Sequence, residues 1–234
     1  MIGIKHDERF KRHNSMSRFM PLTSISQRTS NDIAELLMNT VISHLNTDKS
    51  VADMINFAFG EMVDNVINHS GAPDTGIACA QYYKTRKYVD VCIVDCGKGI
   101  PSSMSSNPSY GELSNTQLLE KAFERETGEW FGVPSFGTEH VSGGMGLYLS
   151  ARIMKTIGGI IWVVSHDSAI EISKDATKGI SNMYYPGTAI VMRFPDTSDP
   201  ITGNDIFGNG VDEPITWSPS ESWAYSSNDD DVIW

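Results

Sequence analysis

At 234 residues, 40% hydrophobic and 20% charged, the chain can bury a sizeable core and lacks the composition of a disordered polymer. A net charge of −11 excludes a general nucleic-acid binder, because phosphate backbones select a basic footprint. No apolar run approaches the ~20 residues that cross a bilayer, and residues 1–12 are too polar for a secretory signal, so a cytoplasmic protein without a membrane span is expected.

In chain order, residues 1–18 form a basic, polar lead-in, and Phe19, Met20 and Leu22 suit an edge strand. Ser30-Asn31-Asp32 is a helix-cap signal before Ile33, Leu36, Leu37, Val41 and Leu45, which recur at helical spacing. A second helix is predicted over 50–68, stopped by Ser70-Gly71-Ala72-Pro73. Strands follow at 77–83 and 88–94 around the turn Lys84-Thr85-Arg86-Lys87. The Ser-, Gly- and Asn-rich stretch that follows, about 101–143, holds one predicted helix at 116–126. Its length suggests a mobile lid.

A third main helix is predicted over 147–156, ending at Gly158-Gly159, then strands at 160–165, 169–172 and 188–194. The domain is therefore expected to span 19–195. Residues 196–234 form an acidic tail without Lys or Arg, bearing Trp217, Trp223, Tyr225 and Trp234, and read as a flexible or partner-docked extension. Cys79, Cys92 and Cys96 have no CxxC spacing and an odd count. Buried thiols are expected, not a disulfide framework or zinc site.

The segment from Phe59 to His69 is the most informative. On a helix, Glu61, Asn65 and Asn68 fall within a sector of roughly 60°, while Ile55, Phe59, Met62, Val63, Val66 and Ile67 face elsewhere. An Asn oxygen is a hard ligand for hydrated Mg²⁺, and a carboxylate one turn away can orient or deprotonate a hydroxyl. By itself this is more simply the solvated face of an amphipathic helix, with His69 at the helix exit.

The buried-looking strand 91–94 runs into Asp95-Cys96-Gly97-Lys98-Gly99-Ile100. A carboxylate there needs a donor, which a purine amine supplies, although a plain Asp-Gly turn has the same pattern. Ser142-Gly143-Gly144-Met145-Gly146-Leu147 opens a helix with free N–H groups. That is a weak phosphate signal without the Lys-Ser/Thr of a P-loop, and no strand directly precedes it as a dinucleotide fold requires. Gly187-Thr188 begins the last strand, with a hydroxyl able to donate to a ring or to a water beside it.

In this order, these pieces resemble the GHKL superfamily. Glu61 and Asn65 match its Glu-x-x-x-Asn box, Asp95, Gly97 and Gly99 its Asp-x-Gly-x-Gly box, Gly144-Met145-Gly146-Leu147 its Gly-x-Gly-Leu box, and Gly187-Thr188 its closing Gly-Thr. The resemblance covers roughly residues 31–195 and is nearest to anti-sigma-factor kinases and sensor-kinase catalytic domains. It implies a Bergerat ATP-binding fold, a two-layer α/β sandwich whose mixed, mostly antiparallel sheet carries helices on one face.

It further implies ATP and Mg²⁺ as ligands. Asn65 would ligate the metal and Glu61 would be the base. Asp95 would take the adenine amine, assisted by Thr188, in a pocket shaped by Gly97, Gly99 and Ile100. The residues Gly144, Met145, Gly146 and Leu147 would meet the phosphates. Asn68 stands where many sensor kinases carry Lys or Arg, and the lid is longer than in compact anti-sigma kinases.

The expected function is a phosphotransfer switch acting on a Ser, Thr or His of a partner protein. The alternatives are an ATP-hydrolysing conformational switch and a non-catalytic nucleotide-dependent scaffold. His44 looks like an ordinary surface residue, so the phosphoacceptor is expected on another chain or in parts of a longer protein. A homodimer is common among such proteins.

Overall fold

The computed structural model describes residues 18–124 and 145–207. Most of the lead-in, the later lid with Gly144, and the tail beyond 207 lie outside these residues. Where 3.6-residue and two-residue hydrophobic periods alternate along the sequence, helices and strands alternate in space. Strand β1 (Phe19–Ser24) leads to helix α1 (Ser30–Ile42), the short strand β2 (Leu45–Thr47) and the long helix α2 (Lys49–His69). The hairpin β3 (Ile77–Tyr83) and β4 (Tyr88–Asp95) follows, then short helices α3 (Ile100–Met104) and α4 (Asn115–Lys121). Helix α5 (Met145–Ile157), strands β5 (Ile160–His166), β6 (Ser168–Ile172), β7 (Thr177–Ile180), β8 (Tyr185–Pro195) and β9 (Thr197–Ile201), and helix α6 (Gly203–Phe207) complete the described chain.

Seven strands form one sheet in the order β1-β3-β4-β8-β5-β6-β7, and every neighbouring pair is antiparallel. The expected α/β sandwich is therefore present, and its parallel pairing lies outside the main sheet, between β2 and β9. Along β4, Val89, Val91, Ile93 and Asp95 are buried, while Tyr88, Asp90, Cys92 and Val94 are only half-buried. Strands β5 and β8 alternate in the same way. One face thus packs into a core with α1, α2 and α5, and the opposite face stays partly open.

Several local expectations change. Leu45 belongs to β2 and not to the first helix, because α1 ends at Ile42, capped by Ser43, and the chain turns to pair with β9. Ser30, Asn31 and Asp32 lie inside the first turn of α1, whose N-cap is Thr29 without a side-chain cap bond. The lid helix runs only to Lys121 and starts with a capping box between Ser114 and Gln117. Gly158 adopts φ +72°, and the Gly159 N–H donates to the Met154 carbonyl at 2.8 Å, which is the predicted glycine stop. Residues 197–207, read from sequence as tail, form β9 and α6 and pack Ile201 and Ile206 into the core.

Candidate functional site

Helix α2 is the spine of the site. Its N-cap carboxylate, Asp48, accepts the Val51 N–H at 2.9 Å, a bond that holds this carboxyl below its usual pKa. Burial of Ile55, Phe59, Met62, Val63 and Val66 sets the helix's rotation. Glu61 and Asn65 are consequently half-buried on one flank, whereas Asn68 stands exposed farther along.

The first turn of α5 abuts that flank. A Cβ at Gly146 would collide with the Glu61 side chain, so only glycine lets the two helices approach here. The carboxylate–amide face and the Gly-x-Gly-Leu segment are thereby brought together. Met145 is the first residue of α5, Leu147 is buried beside it, and Gly144 lies outside the described residues.

At the far end of α2 sits Asp95, delivered by β4 to the edge of the core and only 6% exposed. It lies directly across from Thr188 in the β4–β8 register. Desolvation pushes its carboxyl pKa up. The Gly97 N–H, 2.7 Å from Oδ1, the Thr188 N–H and the charge of His166 pull it back. A half-satisfied, desolvated carboxylate is primed to accept a further donor.

The turn after Asp95 is fixed from three sides. The Lys98 N–H donates to the Ser70 carbonyl at the end of α2 (2.8 Å), and the Cys96 N–H to Thr75 Oγ1 (2.8 Å). Ile100 donates its N–H to Ser165 Oγ at 3.0 Å, and His166 Nε2 lies 2.9 Å from the Lys98 carbonyl. Fully buried Ser165 in turn donates to the Gly187 carbonyl at 3.0 Å and lies 3.3 Å from Thr188 Oγ1. Gly99 and Gly187 have φ of +77° and +125°. A side chain at Gly187 would also strike the Asp95 backbone, so these turns need glycine twice over.

Sequence reasoning singled out Asp95, Gly97, Gly99, Ile100 and Thr188, and the structure brings all five together. It missed Ser70, Thr75, Ser165 and His166. Ser165 alone carried a usable signal, a polar residue closing an apolar strand, which is the pattern that exposed Asp95. The expectation of three buried thiols is corrected, since Cys79 and Cys92 are half-exposed and Cys96 is exposed. Cys96 follows the last residue of β4 and sits in the turn, where strand alternation no longer hides it.

Among the described residues, no group of three or more His, Cys, Asp or Glu is placed to hold a metal ion, and no helix is long and apolar enough to cross a membrane. A lone Asn oxygen beside a carboxylate fits a cation that keeps most of its water and shares its coordination with phosphates. No curated protein matches the chain in sequence. A family model described as histidine kinase-, DNA gyrase B-, and HSP90-like ATPase matches residues 50–198, well over half of the chain. The match takes in α2, the Asp95 turn, the start of α5 and Thr188, and the chain belongs to this ATPase family, carrying an ATP-binding domain of the histidine-kinase-like type.

Proposed function

We propose that ATP lies along α2, with its adenine at Asp95 and its phosphates toward the start of α5, and serves a phosphotransfer switch. The acceptor is a Ser, Thr or His on a regulatory partner protein. The observation that carries the reading is the contact of Glu61 with Gly146, which sets a carboxylate beside the helix end where the phosphates would lie. Asn65, one turn on, is the residue to hold Mg²⁺, which when bound neutralises phosphate charge. Glu61 takes the proton from the acceptor hydroxyl or imidazole, and Asp95 fixes the base by accepting from its exocyclic amine. Met145, Gly146 and Leu147 meet the phosphates, a role that extends to Gly144 by sequence, and Asn68, exposed on α2 nearer Asp95, adds to nucleotide binding.

The test follows γ-labelled ATP in the full chain and in Glu61→Ala and Asn65→Ala. Asn65→Ala should lose the Mg²⁺-dependent part of ATP binding. Glu61→Ala should bind ATP normally and lose label transfer to a protein of the native cell extract by 10²-fold or more, the scale of a positioned base. Steady release of free phosphate with no labelled protein would replace this reading by the ATP-hydrolysing switch.

A further inference from the structure

Cys79 on β3 and Cys92 on β4 are direct partners across the antiparallel hairpin. Strand alternation turns both to the partly open face of the sheet, away from the helices and from Asp95, which is three residues on from Cys92 and on the other face. Directly opposed residues of antiparallel strands have Cα atoms about 4.5–5.5 Å apart. That separation falls inside the roughly 4.4–6.8 Å range that a disulfide spans. The two thiols also hydrogen-bond each other, which holds Cys79 down to about 7 and, with burial, pushes Cys92 up. Cys79 is thus the more nucleophilic member near neutral pH, and Cys92 waits within reach as the resolving thiol. Cys96 lies in the Asp95 turn, with its sulfur 3.9 Å from the Tyr185 hydroxyl.

We propose that Cys79 and Cys92 form a redox-active dithiol, a modification site on the open sheet face that closes reversibly to a cross-strand disulfide with a small-molecule disulfide as oxidant. The Cys79 thiolate attacks one sulfur of the oxidant, whose S–S bond breaks and releases one thiolate. Cys92, deprotonated in turn, attacks the Cys79 sulfur of the mixed disulfide and expels the second thiolate. Two protein thiols are oxidised, the small disulfide is reduced to two thiols, and the two protons end on those products. The site stands apart from the nucleotide reading and does not depend on it.

The experiment treats the reduced full chain, its Cys96→Ser variant and the single variants Cys79→Ser and Cys92→Ser with oxidised glutathione near neutral pH. Free thiols are then counted and peptides mapped without reductant. In Cys96→Ser no free thiol should remain, with no glutathione retained and full reversal by dithiothreitol, and any glutathione retained by the wild type should map to exposed Cys96. The tryptic peptide 50–84 should be joined to 88–98 in Cys96→Ser. Cys92→Ser should instead keep glutathione bound at Cys79, and Cys79→Ser, without the attacking thiolate, should gain none at Cys92. Two separate glutathione adducts on Cys96→Ser, disulfide-linked dimers, or equally fast linkage through Cys96 in Cys92→Ser would each overturn the proposal. Cys96→Ser leaves both members of the pair intact, so the decision does not depend on how the other variants fold.

Discussion

In the proposed binding mode, Asp95 couples two opposite pH dependences. Its folded pKa is raised by burial, so between the ordinary carboxyl value of 3.8 and that raised value the native state holds a proton that the unfolded chain releases. Its contribution to stability is therefore most favourable below 3.8 and falls as pH rises through the raised pKa. ATP binding should run the other way, because only the ionised carboxylate accepts the adenine amine without giving up an acceptor. Calorimetric titration should show ATP affinity dropping on acidification through this window, and Asp95→Asn should remove both the slope and the preference for adenine over guanine. Ser150 behaves more simply. Its Oγ is buried without a partner among the described residues, beside a cavity of about 10 Å³ lined by Phe59, Met154 and Phe194. Removing an unsatisfied buried hydroxyl should help, so Ser150→Ala is expected to raise stability by about 1 kcal/mol and Tm by roughly 2–4 °C in a thermal melt.

At the scale of elements, α2 and α5 pack together with Gly146 pressed against Glu61. Gly146→Ala should force the helices apart at the Glu61 flank, costing about 1–3 kcal/mol as overpacking does, and should weaken ATP binding at least tenfold in the same titration. Asp48→Ala removes the cap at the start of α2. Because the Asp48 carboxylate also accepts from Ser50 Oγ and the Gly203 N–H, the variant should lower the denaturation midpoint by an amount worth at least about 1 kcal/mol while leaving ATP affinity near wild type. The long elements were legible because their patterns are local. Helix α2 carries its own apolar stripe, cap and glycine stop, and β4 and β5 are runs rich in β-branched apolar residues. Strands β2, β7 and β9 were not, because each is three to five residues long and owes its existence to a neighbour. The same holds within the site. Glu61, Asn65 and Asp95 announce themselves by residue type and spacing, whereas Ser165 and His166 hold Ile100 and Lys98 from more than sixty residues away.

Taken whole, the molecule closes beyond its nucleotide-binding portion. Asn46 donates to the Ser198 carbonyl at 2.8 Å, Asp48 N–H to that of Ile201 at 3.2 Å, and Arg152 Nε to that of Ile206. Segment 197–207 therefore straps the start of α2 to the middle of α5. A chain ended at Pro195 would expose Ile201 and Ile206 pockets worth about 1.5–3 kcal/mol each, and its melting temperature should fall well below that of a chain ended at Phe207. The hydrogen bonds around Asp95 bear on the thermodynamics of recognition. With Ser70, Thr75, Ser165 and His166 already holding the turn, little backbone freedom is left to lose when a base arrives. Adenosine alone, stripped of every phosphate, should then still be told apart from guanosine, and that discrimination should be carried chiefly by enthalpy.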